Sequence, residues 1–367
     1  MRAEPAQLEQ WYRDVLPARF DLSSSGVHPF SFGEVIEIAG IDEEALRRLS
    51  LDDTTSLGSP NIREVVASTV GTGEPNKVLI ANGSSEALFL VLATMLQPGD
   101  EVIVTDPIYH GLVAGVAMNG CRVVRWPLRR EGGFAADLDL LASLLTPKTR
   151  AVIANFPHNP TGVTLSPGGL RTLVDLVARQ GTYLAWDAAF ELLVYDGNPL
   201  PNPATLYERA IAFGTLSKAY GLPGLRFGWC IGPEAVIDGT IGLRDRSTLF
   251  VSALVEFVAA AVLGAGPRFV ERRLETAREN RAIVHDWIQS EGDTIAWSLP
   301  SGGVCGFPEL HGIDVARFCR DLAERADTIL VPGEAFDHAG HVRLGFGGRR
   351  TTLVEGLARL SAAFRDG

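Results

Sequence analysis

Cysteine is scarce in this chain, and that scarcity excludes two kinds of protein. Cys121, Cys230, Cys305 and Cys319 are far apart and show no Cys-x-x-Cys or Cys-x-x-His spacing. Neither a disulfide scaffold nor a zinc module is encoded, so no metal is expected, and reduced thiols suit a cytoplasmic protein. Positive charge is also short: 33 Lys and Arg stand against 44 Asp and Glu, a formal net charge of −11. This argues against nucleic acid or an anionic membrane as the main partner, while leaving a cationic small substrate open. Long apolar runs are missing as well. The best, residues 255–264, falls short of the roughly 20 residues a membrane span needs. The opening stretch MRAEPAQLEQWYRD carries acids and no apolar core, so no secretory leader is expected. No internal repeat or low-complexity tract interrupts the chain.

What is present is an ordinary globular composition, 46% apolar and 21% charged over 367 residues. That length exceeds what one growing core accommodates, so two domains are expected. Short apolar runs punctuated by Gly, Pro and Asn lie at 77–81, 101–105, 122–126, 150–155, 182–187, 209–214 and 226–231. With helical stretches such as SEALFLVLATML between them, they predict an α/β fold with a mostly parallel central sheet covered by helices. Near residues 264–267 the pattern changes. Val270, Leu274, Ala277, Val284 and Ile288 predict one long amphipathic helix. TIAWS, GVCGF, TILVP and HVRLGF then read as strands of a smaller α+β domain. The expected division is an arm and lid over 1–50, a large domain over 51–264 and a small one over 265–367.

Ligands of open α/β sheets sit beyond the carboxyl ends of the strands, and polar residues gather there. After KVLIA comes NGSSEAL, in which Gly83 permits a turn and Ser84 and Ser85 open a helix. Backbone N–H groups and hydroxyls at a helix start suit a phosphate, although a serine there is also an ordinary cap. DPIYHG supplies Tyr109, FPHNPTG supplies Asn159, and TYLAWD ends on Asp187, which read alone is equally a helix cap. Then GTLSKAYGLPGLRFGW sets Lys218 among small and apolar residues, after Thr215 and Ser217, with Arg226 expected to begin the next strand. A desolvated lysine amine is nucleophilic and condenses readily with carbonyls.

The order NGSSEA, DPIYH, NFPHNPTG, WDAAF, TLSKAYGLPGLRFG, PSGGVCGF, VPGEAF, VRLGF resembles the class I/II aminotransferases, fold type I enzymes that use pyridoxal 5′-phosphate. The resemblance implies that Lys218 holds the cofactor and then shuttles the substrate α-proton. It implies that Asp187 pairs with the pyridine N–H, Asn159 bonds the ring oxygen and Tyr109 stacks on the ring. Ser84, Ser85, Thr215 and Arg226 match the phosphate clamp. Arg343 matches the arginine that grips the substrate carboxylate, Asn159 lies beside it, and Gly26 falls in the closing N-terminal loop. A homodimer is expected, because this fold builds its sites at a subunit interface.

Two positions depart from the pattern. Phe190 stands where a tyrosine usually donates to the ring oxygen, and Asp53 stands where a tyrosine usually reaches the partner subunit's phosphate site. SSSGVHPFSFGE, YHG and NFPHNPTG, with His28, His110 and His158, resemble the arginine-cyclising branch of the superfamily, which serves antibiotic biosynthesis. That resemblance implies a 3-hydroxy-L-arginine substrate, loss of its β-hydroxyl with acid help from His28 or His110, and ring closure by a guanidine nitrogen. Asp21, Glu34, Asp52 and Asp53 are candidate guanidinium partners, though surface acids are usually just solvated. A plain aminotransferase and an arginine oxidase or hydroxylase are the alternatives on the same scaffold.

Overall fold

The computed structural model describes residues 5–366; residues 1–4 of the opening stretch lie outside the described residues. The first strand, β1 (Phe20–Asp21), belongs to the C-terminal half of the fold. The next seven form one sheet: β2 (Val78–Ala81), β3 (Glu101–Asp106), β4 (Arg122–Pro127), β5 (Thr149–Asn155), β6 (Tyr183–Asp187), β7 (Ala210–Thr215) and β8 (Gly228–Ile231). Each falls within two residues of an apolar run read from the sequence. Their order is β2-β8-β7-β6-β5-β3-β4, and only β8 runs against its neighbours. The mostly parallel central sheet expected from the sequence is therefore present.

Alternation along the strands sorts side chains into two cores. Leu79, Val102, Val104, Ile153, Ile211 and Phe213 pack on one face under the helix Ser84–Met95. Ile80, Ile103, Val152, Leu184, Trp186 and Ala212 pack on the other, under the helices Pro60–Val70 and Pro167–Arg179. Both faces being covered explains why β2, β7 and β8 are buried at every position, and why these strands read as unbroken apolar runs.

The long helix spans Gly266–Ser290. It follows Ala253–Gly264 across a 72° bend, and among the described residues no single helix is long and apolar enough to cross a membrane. Trp287 Nε1 donates to Ser361 Oγ at 2.8 Å, tying this helix to the last one, Arg350–Asp366. Cys305–Gly306 and Val331–Pro332 flank Val342–Gly345 in a small antiparallel sheet. β1 pairs in parallel with Thr328–Ile329, so the N-terminal segment is built into this C-terminal part. Glu309–Leu310, which pairs with Ile295–Ala296, escaped the sequence reading because two-residue strands carry too little periodicity to register. All four cysteines are free.

Candidate active site

Parallel strands bring their carboxyl ends to one edge, and the antiparallel β8 starts at that edge. Register then sets the neighbours. Asn155 lies beside Asp187 across β5 and β6, Thr215 lies beside Gly228 across β7 and β8, and Gly228 lies beside Ala81 of β2. Beyond this edge opens a cavity of about 480 Å³. Ser84, Ser85, Tyr109, Asn159, Asp187, Thr215, Lys218, Arg226 and Arg343 all line it. Nine residues spread over 260 positions of sequence thus meet in one place.

One end of the cavity is built for an anion. The helix Ser84–Met95 is capped by Gly83 at φ 88°, with no side chain capping its first N–H groups. A Cβ at Gly83 would lie 2.4 Å from Arg226 Nη2, and one at Gly228 would lie 2.2 Å from Ser84 N. Both glycines let backbone and guanidinium close in around the helix start, where unpaired N–H groups and the helix dipole favour negative charge. Arg226 does not begin β8. It precedes the strand in a left-handed conformation, φ 53°, which no apolar-run pattern reports. Its Nη1 donates to Pro223 O at 2.9 Å and Ser217 Oγ at 3.4 Å. Ser217 thereby joins the anion end beside Thr215, whose Oγ1 lies 2.9 Å from Ser217 Oγ.

The middle of the cavity holds a desolvated acid and a desolvated amine. Burial pushes the Asp187 carboxyl up to about 6, against a hydrogen bond from Ala189 N and the nearby Lys218. Burial, reinforced by Arg343, pushes the Lys218 ammonium down to about 8. Lys218 Nζ donates to Ser25 Oγ at 3.1 Å and lies 5.6 Å from the centre of the Phe190 ring. Tyr109 is also held neutral, its phenol pushed up to about 12 by burial and by Glu9.

At the far end, Arg343 is buried. Its Nε donates to Ser23 O at 3.1 Å, Nη1 to Asn159 Oδ1 at 3.2 Å and Nη2 to the Tyr12 hydroxyl at 2.6 Å. Asn155 fixes both neighbours. Its amide donates to Asp187 Oδ2 at 3.1 Å, and its Oδ1 accepts from Asn159 N at 2.8 Å. Glu9 and Tyr12, on the helix Gln7–Val15, and Ser25 also line the cavity. The sequence reading missed these residues and Asn155. The apolar Leu8 and Trp11 three apart were the available signal for that helix, and Asn155 stood unremarked at the head of NFPHNPTG.

Several expected residues lie elsewhere. His28 does not line the cavity; burial and the neighbouring Arg349 and Arg273 lower its basicity, with Glu34 beside it. His110 sits behind Tyr109, ring centres 4.6 Å apart, with Nε2 3.7 Å from Glu9. His158 is buried against Thr161 Oγ1 at 2.9 Å and pushed down to about 3 by burial, so it supports the NPTG turn as an uncharged ring. Gly26 gives backbone to the arm: its carbonyl comes within 2.5 Å of where a Cβ of Gly347 would be. Of the proposed guanidinium partners, Asp21 lines the cavity. Glu34 instead caps its own helix through Ser31, Asp52 accepts from Ser50 Oγ, and Asp53 is exposed away from the cavity.

An anion cradle, a buried acid and a depressed amine along one cavity are the groups that hold pyridoxal phosphate. The residues fit it: Ser84, Ser85, Ser217, Thr215 and Arg226 would hold its phosphate, Asp187 would face its ring nitrogen and Lys218 would meet its aldehyde, all along the same cavity. The family model for aminotransferase class I and II matches residues 50–360. The chain belongs to that family. Capreomycidine synthase of Streptomyces vinaceus is 42% identical over 360 residues, 97% of this chain and 92% of that one. Arginine–pyruvate transaminase of Pseudomonas aeruginosa is 31% identical over 74% of this chain and 70% of its own. Among solved structures, the PLP-dependent cyclase OrfR superposes with a TM-score of 0.95 at 41% identity, covering 100% of this chain and 98% of that one. A PLP-dependent aminotransferase from Streptococcus suis superposes at 0.94 with 28% identity, covering 100% and 99%. With these relatives the aminotransferase family's cofactor and fold type I architecture hold for this chain.

Proposed function

We propose that this protein is a pyridoxal-phosphate cyclase that converts 3-hydroxy-L-arginine to capreomycidine with loss of water. The observation that carries the reading is the likeness to capreomycidine synthase along 97% of the chain. The cavity supports it. Besides Asp187, its lining acids are Glu9 and Asp21, which suit a cationic side chain, and Arg343 suits a carboxylate through a two-pronged contact.

When bound, the cofactor supplies a cationic ring that accepts the electron pair left at Cα. The protein's own residues do the rest. Arg343 fixes the carboxylate and so orients the Cα–H bond. Lys218, an amine that is neutral above about pH 8, takes the α-proton. The β-hydroxyl leaves as water, and a guanidine nitrogen adds to the β-carbon while losing a proton. Cα regains a proton, and one water has been lost overall. The N-terminal arm lines the cavity with Glu9, Tyr12 and Ser25 and is placed to limit the entry of water, which would intercept an unsaturated amino acid.

The reading brings with it a cytoplasmic homodimer working as a lyase in antibiotic biosynthesis, each chain divided into an arm and lid over 1–50, a large domain over 51–264 and a small one over 265–367. The test is direct. Holoenzyme mixed with 3-hydroxy-L-arginine should yield a product lighter by one water with no keto acid present. A requirement for a keto acid overturns the reading in favour of transamination, and oxygen uptake overturns it in favour of an oxidase. Light scattering at twice the 39.4 kDa chain mass checks the dimer.

A further inference from the structure

Dehydration needs a proton for the departing oxygen, and neither histidine that the sequence offered reaches the cavity. Ser25 does. It is 7% exposed, lines the cavity, and its Oγ lies 3.1 Å from Lys218 Nζ, the one side-chain hydrogen bond that amine makes among the described residues. The amine also lies over the Phe190 ring, 5.6 Å from its centre, and that ring can neither accept nor donate a proton. Tyr109, another hydroxyl lining the cavity, makes no hydrogen bond to Lys218 and is held neutral by burial. A serine hydroxyl accepts and donates at once, so it can pass a proton from an ammonium on one side to an oxygen on the other.

We propose that Ser25 hands to the departing β-oxygen the proton that Lys218 has taken from Cα. This rests on the cyclase reading. Lys218 accepts the α-proton on its lone pair, and the C–H electron pair ends by breaking the Cβ–O bond. The ammonium then donates a proton to Ser25 Oγ while the serine's own proton moves to the leaving oxygen. Water departs, Lys218 is again a neutral amine and Ser25 is unchanged. No oxidant or second substrate enters. One pair of side chains thus serves as base and acid, which explains how a site without a histidine at the reacting carbon performs an elimination.

The test uses Ser25→Ala and Ser25→Thr holoenzyme with 3-hydroxy-L-arginine deuterated at Cα. In Ser25→Ala, release of deuterium to solvent should persist while dehydration falls about 100-fold, the ordinary size of one acid–base contribution. Ser25→Thr, which keeps the hydroxyl, should recover most of the loss and shows that the effect is not misfolding. Exchange and dehydration falling together, or neither falling, overturns the proposal. A second readout needs no turnover. In the cofactor-free chain, the pH dependence of Lys218 labelling followed by mass spectrometry reports its amine. Arg343, Arg226, Asp187 and Cys305 also face that amine and stay in place. Removing an acceptor of the charged form should lower its midpoint by about one pH unit; an unmoved midpoint overturns the pairing. Should the wild type fail to dehydrate this substrate, the cyclase reading falls, while the labelling still decides whether Ser25 and Lys218 are coupled.

Discussion

Asn155 and Asp187 end adjacent strands in register, and the Asn155 amide donates to Asp187 Oδ2 at 3.1 Å. The same asparagine holds Asn159 by its backbone N–H at 2.8 Å. One side chain therefore orients both groups expected to face the cofactor ring. In Asn155→Ala the carboxylate loses a hydrogen bond worth about 1–2 kcal/mol and is harder to ionise. Cofactor dissociation should speed up by about tenfold, measured by dilution and loss of the bound chromophore, with wild-type strand content by circular dichroism. An unchanged off-rate removes Asn155 from the site.

Asp187 makes a prediction with a definite sign. Its carboxyl is pushed up to about 6 in the cofactor-free fold, above the unfolded value of about 3.9. Between those values the native chain binds more protons than the unfolded chain, so stability falls as pH rises through that window. At pH 7 the ionised acid is a cost, bounded at about 3 kcal/mol by the shift and reduced by loss of the Asn155 contact on substitution. Cofactor-free Asp187→Asn should therefore be about 1–2 kcal/mol more stable than wild type at pH 7. The gain should vanish near pH 4, and the variant should hold pyridoxal phosphate poorly. Urea titrations at the two pH values decide it; a destabilised variant at pH 7 shows that the acid is not strained.

These two residues also mark what the sequence could tell. The sheet strands were legible because both sheet faces are covered, which buries β2, β7 and β8 at every position and leaves apolar runs such as VLIA (78–81). The cavity residues from Ser84 to Arg343 were legible by resemblance, since each follows a quoted motif. Asn155 was not, because a strand-terminal asparagine looks like a boundary, and its use depends on register with Asp187. Glu9, Tyr12 and Ser25 were hidden for another reason: they meet residues distant in sequence, Glu9 beside His110, Tyr12 against Arg343 and Ser25 against Lys218. His28 misled because nearness to a motif in sequence says nothing about which way a loop side chain turns.

Phe190 is the departure with a spectroscopic consequence. Its ring is 3% exposed and faces Lys218 without any donor. Phe190→Tyr would supply a hydroxyl at the position where the family's tyrosine donates to the ring oxygen, and a donor to the anionic form favours that form. The pH midpoint of the lysine-bound cofactor's absorbance should fall by about one unit in the variant. A titration superimposable on wild type removes the electronic reading of this residue.

Tyr12 and Arg343 separate binding from chemistry. The Tyr12 hydroxyl accepts from Arg343 Nη2 at 2.6 Å and donates to Ser23 O at 3.3 Å, so it braces the guanidinium from the arm. A substrate carboxylate held by this fork is held equally before and during proton removal, so weakening the brace is a uniform binding loss. Tyr12→Phe should raise KM about threefold to tenfold and leave kcat within about twofold, the size of one hydrogen bond to a charged group that other partners still orient. Arg343→Lys is a different change, because an ammonium cannot reproduce the planar two-pronged contact or fill the donors to Ser23 and Asn159. Its carboxylate should sit out of line with Lys218, lowering kcat as well as raising KM. Steady-state kinetics of the two variants on one substrate distinguish the cases. If Tyr12→Phe lowers kcat as strongly as Arg343→Lys, the hydroxyl acts in the chemical step and not as a brace.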